Sequence, residues 1–314
     1  MYDFWKICPA GNPTILVRAE DFSSGRAPVS TQLMDYFHAE QVGFIHIPTA
    51  ITKIPNFRLD MMGGEFCLNA TRAFALLLAQ RKLLPELNIS PKVPGLFKTW
   101  AGLAETSGLN KTVELRVDAF TPTNAFATSN FIVKNNPDHH SNLTFFTSIT
   151  LPLEEITIEQ FNKVWFVRLP GICHLITFGE FPHKHNRDDI SRRMIEEFGL
   201  LSETAVGCMW LTENGGRRVL HPVVWVRDTG SLCQESSCGS GSLACALVLH
   251  KLYGDMKFEI SQPSGYNLTA EFQVAKKNAP LMGKIGGPAF IIKEGKFCIL
   301  EGKICLPLQH TNWS

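Results

Sequence analysis

Two stretches of this chain share one layout. Met62-Gly63-Gly64-Glu65-Phe66-Cys67-Leu68-Asn69-Ala70-Thr71-Arg72-Ala73 and Glu235-Ser236-Ser237-Cys238-Gly239-Ser240-Gly241-Ser242-Leu243-Ala244 each set a cysteine before small polar residues and then an apolar run. Laid over one another at an offset of 171 residues, Cys67, Ala73, Ala75, Leu76 and Leu78 fall on Cys238, Ala244, Ala246, Leu247 and Leu249. Such self-similarity points to a fold made twice from one unit, each with a central helix headed by a cysteine. With 314 residues the chain has the length for two domains.

A cysteine at a helix start has a particular chemistry. The unpaired N–H groups and the positive end of the helix dipole favour thiolate over thiol. The same N–H groups suit a bound carboxylate. Two such ends facing one pocket would flank a carboxylate-bearing molecule with sulfur on both sides. One thiolate then takes a proton from carbon while the opposite thiol returns one, inverting a stereocentre.

Lys and Arg number 30 against 29 Asp and Glu, for a formal charge of +1. That balance gives no electrostatic case for nucleic acid or an anionic membrane surface. No run approaches the roughly 18 apolar residues of a membrane helix. Met1-Tyr2-Asp3-Phe4-Trp5-Lys6 lacks a basic region followed by an apolar stretch, so a cytoplasmic location is expected. The nine cysteines are scattered without a Cys-x-x-Cys pair, which fits reduced thiols and neither a disulfide frame nor zinc.

Along the chain, Phe4 to Val17 reads as strand, turn, strand, with Gly11-Asn12-Pro13 at the turn. Asn12 either points into a ligand site or bonds its own backbone. A helix is expected around Ser30 to Ala39, strands at Gln41–Ile47 and Phe57–Met61, and a helix from Cys67 to about Leu84-Pro85. Lys92–Lys98 reads as strand and turn, and further β-rich runs appear at Val113–Val117, Phe131–Val133 and Leu143–Leu151. His139 and His140 sit in a polar loop and read as exposed histidines, not as a metal site. The second half opens with strands at Val164–Leu169 and Leu175–Phe178. Arg187–Phe198 has helical charge patterning with a solvated face, and strands follow at Gly207–Thr212 and Val219–Arg227. Closing short strands follow Gly286-Gly287-Pro288. No dinucleotide-binding or P-loop pattern is present. The class is α+β with largely antiparallel sheet, divided into an N-terminal domain 1–152 with Cys67 (290–314 available to complete it) and a C-terminal domain 153–289 with Cys238.

Pro9-Ala10-Gly11-Asn12, Cys67 with Asn69, Ser237-Cys238-Gly239-Ser240-Gly241, Gln262-Pro263-Ser264-Gly265 and Gly287-Pro288-Ala289 occur in the order found in diaminopimelate epimerase and its relatives. The chain resembles that family of cofactor-independent amino-acid racemases and epimerases from near Phe4 to near Ile292. Within it, Asn12–Val17, Glu40–Ile45, Gly64–Cys67, Asn69–Thr71 and Glu235–Gly241 resemble the histidine racemases that supply D-histidine for staphylopine-type metallophores. The resemblance implies two pseudo-symmetric domains, each a curved, mostly antiparallel sheet around a central helix, with the site between them. It also implies a free amino acid as substrate, no cofactor and no metal, and is compatible with a homodimer.

By the same resemblance, Cys67 and Cys238 are the catalytic bases. Asn69, Ala70, Gly239 and Ser240 would offer backbone N–H groups to the α-carboxylate, or simply cap their helices, and Asn12 and Leu68 are further substrate-binding candidates. Glu65 and Glu235 would meet the ammonium or support the helix dipole. His174 is either structural or part of the site. Three positions depart from pattern: Leu68 replaces a glycine, Ile172-Cys173-His174 replaces Asn-Pro-His of diaminopimelate epimerases, and His46 stands where the histidine racemases carry an acidic residue. Arg227 remains a candidate for a distal carboxylate. The reading is therefore a racemase of histidine, with diaminopimelate or another polar amino acid as the alternative substrate. Residues 100–142 look expanded, without an assigned role.

Overall fold

The computed structural model describes residues 1–19, 26–48, 57–88, 95–121, 143–154, 156–182, 186–274 and 280–306. The first half runs β1 (Tyr2–Pro9), β2 (Thr14–Arg18), α1 (Arg26–Phe37), β3 (Gln41–His46), β4 (Arg58–Met61), α2 (Leu68–Gln80), β5 (Glu86–Leu87), β6 (Leu96–Thr106), β7 (Val113–Phe120) and β8 (Thr144–Pro152). The second runs β9 (Thr157–Phe161), β10 (Val164–Leu169), β11 (Ile172–Phe178), α3 (Arg187–Glu197), β12 (Ala205–Asn214), β13 (Arg217–Val226), β14 (Ser231–Gln234), α4 (Gly239–Tyr253), β15 (Lys257–Ser261), β16 (Asn267–Val274), β17 (Leu281–Leu300) and β18 (Lys303–Cys305).

The order of pairings in the first half recurs in the second. β1–β2 is antiparallel, β2–β3 parallel, β3–β4 antiparallel, β4–β6 parallel and β6–β7 antiparallel. β10–β11, β11–β12, β12–β13, β13–β15 and β15–β16 repeat that series in the same sense. β17 joins the halves. Its first part lies between β16 and β8, and its second part pairs with β1 from Ala289 to Phe297.

Helices α2 and α4 run through the two sheets because nearly all of their side chains can be buried. Every residue from Leu68 to Ala79 in α2 and from Gly239 to Leu249 in α4 is inaccessible to solvent or nearly so. One apolar core spans both helices and the sheet faces toward them. Smaller cores lie under α1, around Phe4, Phe44 and Phe297, and under α3, around Leu175, Trp210 and Trp225. Arg192, Arg193, Glu196 and Glu197 are exposed on α3.

Some elements differ from the sequence expectation. Helix α2 ends at Gln80, short of Leu84-Pro85. Lys82 turns into the left-handed region (φ 56°), and the Leu83 N–H closes on the Leu78 carbonyl at 2.9 Å. The chain does not finish in short strands alone. β17 is a single 20-residue strand, and its glycines mark close approaches. A Cβ on Gly287 would lie 2.9 Å from the Arg72 guanidinium. Residues 96–120 form the β6–β7 hairpin. Phe131–Val133, His139 and His140 lie outside the described residues. Among the described residues, no helix is long and apolar enough to cross a membrane.

Candidate active site

Cys67 and Cys238 are built into equivalent corners. Each is the N-cap of its helix, with φ −122° and ψ 110° for Cys67 and φ −130° and ψ 111° for Cys238. Each Sγ accepts a backbone N–H at 3.4 Å, from Ala70 and from Gly241 respectively. Thr71 and Ser242, also 171 residues apart, donate their hydroxyls to the Cys67 and Cys238 carbonyls at 2.7 Å and their N–H groups at 3.0 Å. The repeat in the sequence is thus a repeat in hydrogen bonding.

The two helix starts abut. A Cβ on Gly239 would lie 2.9 Å from the Leu68 Cβ and 3.0 Å from Asn69 Oδ1. Gly239, having no Cβ, leaves Leu68 the room for that approach. Asn69 Nδ2 crosses to the Ser237 carbonyl at 2.8 Å, and its Oδ1 receives Arg72 Nη1 at 3.0 Å. Arg72 is fully buried and also donates to the Thr147 and Pro288 carbonyls. It thereby fixes the side-chain amide of Asn69.

Both sulfurs line a single cavity that encloses about 560 Å³ of non-atom space, open solvent at its mouth included. One wall is the first turns of α2 and α4. There the N–H groups of Leu68, Gly239 and Ser240 have no acceptor within their helices. Met62, Ile172, Ala205, Val224 and Val226 give the lining an apolar part. Glu40, Glu65 and Glu235 complete it.

Desolvation dominates the electrostatics. Burial, followed by repulsion from Glu235, pushes both thiols upward, and the N–H groups of Ala70 and Gly241 offset only part of this. The expected thiolate is therefore not the favoured form in the ligand-free cavity, because the capping N–H groups do not make up for lost water. Burial also raises Glu65 and Glu40, and lifts Glu235, with repulsion from Glu40, to about 8. Glu65 Oε2 accepts the Gly63 N–H at 3.0 Å, and Glu40 accepts the Ser236 N–H at 3.1 Å. None of the three carboxyls has a Lys, Arg or His partner within 4 Å among the described residues.

Of the residues singled out in the sequence, Cys67, Cys238, Glu65, Leu68, Asn69, Glu235, Gly239 and Ser240 line this cavity. Five others do not. Asn12 is fully buried behind it, its side chain donating to Glu40 at 2.7 Å and to the Ser237 carbonyl at 3.1 Å while its backbone N–H closes the turn onto the Pro9 carbonyl at 3.2 Å. Ala70 has its N–H taken by Cys67. His46 lies on the far face of β3, with Nε2 3.1 Å from Asp60 Oδ2. His174 is buried in the core beneath, with no partner for either ring nitrogen among the described residues, and burial lowers its pKa to about 3. Arg227 is exposed and donates to Asp228 and to the Ser202 carbonyl, each at 2.8 Å. Glu40, Gln41 and Cys233 line the cavity without having been anticipated. For Gln41 a signal existed, since strand alternation puts Gln41, Gly43 and Ile45 on the α2 side and Val42, Phe44 and His46 on the α1 side. Among the described residues no group of three or more His, Cys, Asp or Glu side chains could hold a metal ion.

The family described as histidine racemase CntK N-terminal domain matches residues 1–297. A histidine racemase of Fusobacterium nucleatum is 32% identical over 308 residues, covering 95% of this chain and 96% of its own length. One of Staphylococcus aureus is 27% identical over 274 residues, covering 84% of this chain and 86% of its own. In fold, the chain is similar to the crystal structure of a probable proline racemase from Agrobacterium radiobacter with bound carbonate. The TM-score is 0.57 at 11% identity, covering 96% of this chain and 94% of that one.

Proposed function

The chain belongs to the histidine racemase family, and from that premise we infer an isomerase that interconverts L- and D-histidine with Cys67 and Cys238 as its two bases. The observation that carries this reading is the pair of sulfurs in equivalent N-cap corners on one cavity. We read the recurring strand pairings as two pseudo-symmetric domains of the diaminopimelate-epimerase type, divided near residue 152, with 290–306 completing the first.

In this scheme the α-carboxylate sits on the helix starts, at the Leu68, Gly239 and Ser240 N–H groups. One sulfur, as thiolate, removes the proton from Cα. The C–H bonding pair moves into the carboxylate, giving an enediolate that the same N–H groups stabilise. The opposite thiol then donates its proton to the other face of Cα and is left as thiolate. The ammonium and the imidazole bring positive charge to a cavity bearing three unpaired carboxyls. That charge lowers the cost of forming thiolate where burial opposes it. Closure of the two halves around the ligand would exclude water during the transfer.

The unpaired carboxyls favour a cationic side chain. Diaminopimelate is disfavoured, because its distal carboxylate needs a basic partner and no Lys or Arg among the described residues lines the cavity. The test is incubation with L-histidine in deuterated water. Deuterium at Cα together with D-histidine is expected; exchange with diaminopimelate alone, or with no amino acid, overturns the reading.

A further inference from the structure

Three hydrogen bonds lead from the turn before Cys238 to the sulfur of Cys67. Their polarity is fixed at one end. The Ser237 carbonyl can only accept, so the Asn12 side-chain group beside it at 3.1 Å is the NH2. Asn12 Oδ1 then faces Gln41, whose Nε2 donates to it at 2.6 Å and to Thr14 Oγ1 at 2.8 Å. That leaves Gln41 Oε1 aimed at Cys67 Sγ, 2.9 Å away. An amide oxygen has no proton to give. Only the protonated sulfur can make this bond, and a thiolate there would meet a lone pair.

Cys238 is placed differently. Its Sγ lies 3.6 Å from the Ser240 hydroxyl, which can either donate or accept, and it shares the cavity with the ionisable Glu235. These neighbours can adapt to thiol or thiolate, whereas Gln41 cannot. We propose that Gln41 is a positioning residue that selectively stabilises the thiol form of Cys67, so that the two sulfurs, both protonated in the ligand-free protein, differ in how readily they give up the proton although their backbone settings match. The inference rests on the two-base reading. Charged or titratable groups around Cys67 are Glu65 on the loop before α2, Arg72 on α2, Glu40 before β3, and Glu235, Cys233 and Cys238 from the other half.

The test is the pH dependence of iodoacetamide labelling at Cys67 and Cys238 in the ligand-free protein, followed by peptide mass spectrometry. Gln41→Met keeps the length and removes the acceptor. It should move the Cys67 labelling midpoint down by about one pH unit, which is about tenfold faster labelling at a fixed pH below it, while the Cys238 profile stays in place. Gln41→Glu supplies a charged acceptor and should move the Cys67 midpoint up. It also serves as the deciding variant if Gln41→Met does not fold. A Cys67 profile that Gln41→Met leaves unchanged or moves up, or that Gln41→Glu fails to raise, overturns the proposal. Labelling reports the thiol whether or not histidine turns over, so a failed racemase reading would appear separately, as absent Cα exchange with an unaltered labelling result.

Discussion

Gly239 and Leu68 meet where the two central helices begin, and a Cβ on Gly239 would stand 2.9 Å from that of Leu68. Alanine is a better helix former than glycine by about 1 kcal/mol, so helix propensity alone makes Gly239→Ala stabilising. The crowding argues the reverse, since the helix starts must separate by a few tenths of an ångström. Misplacement on that scale at a reacting centre is costly, up to about 100-fold per ångström. Gly239→Ala is expected to lower kcat/KM about threefold to fivefold and to lower Tm. Leu68→Ala in the same chain should restore part of both. A stabilised, fully active Gly239→Ala protein would show that the two helix starts are not held at the observed separation.

Cys67→Ser and Cys238→Ser each replace sulfur by a much weaker acid of similar shape. Each should abolish detectable racemisation while leaving circular dichroism and the melting transition close to those of the parent. Chiral chromatography of the product gives the first readout. Near-parental turnover in either single variant would remove that sulfur from the proton-transfer scheme.

Arg227 belongs to an exposed pair with Asp228, and such pairs contribute about 0–1 kcal/mol to stability. Because its side chain is outside the cavity, Arg227→Ala should change KM and kcat for histidine by no more than about twofold, the factor corresponding to a small change in binding free energy. A large rise in KM would place Arg227 on the ligand after closure.

The cysteine corners were legible in the sequence because a duplicated local hydrogen-bond pattern leaves a duplicated local sequence: sulfur, a small residue three on, a hydroxyl four on. The α+β class and the two central helices followed from the same stretches. What the sequence hid was side-chain direction. His46 and Gln41 sit on one strand, and matching to relatives gives a residue's place in the chain but not which face of the sheet it takes. Strand parity would have turned His46 toward α1 and Gln41 toward Cys67. Likewise His174 shares the α4 side of β11 with Ile172 and Ile176, yet only Ile172 reaches the cavity, because depth along the strand depends on packing from elements far away in the chain. β17 was hidden by its glycines, whose function here is to admit Arg72 and the Phe146 ring against the backbone.

His174 should give an acid-side signature. Burial holds its pKa near 3 against an ordinary 6.5, so below pH 6.5 the unfolded chain takes up a proton that the folded chain refuses. Stability then falls as pH drops from about 6.5 toward 3, by at most about 1.4 kcal/mol per unit. His174→Leu, which removes two unpartnered ring nitrogens, should flatten that slope in thermal melts and retain racemisation. An unchanged slope would mean that the ring is solvated or paired in solution, and a loss of turnover with the fold intact would bring His174 back into the mechanism.

Glu235 works in the opposite pH direction. Its folded-state pKa is about 8 against an ordinary 4.5. Between those values the unfolded chain has released its proton while the folded chain keeps it. Raising the pH through this window therefore favours unfolding, and the penalty stops growing above about 8, where both states are ionised. Glu235→Gln cannot ionise, so its Tm should fall less than that of the parent between pH 5 and 8, with the two curves running parallel above. The thiols of Cys67 and Cys238, held higher by burial, do not titrate in that window and so do not obscure the comparison. Curves that run parallel throughout would mean that Glu235 is already ionised near pH 5, and with it that the cavity is far better hydrated than its walls imply.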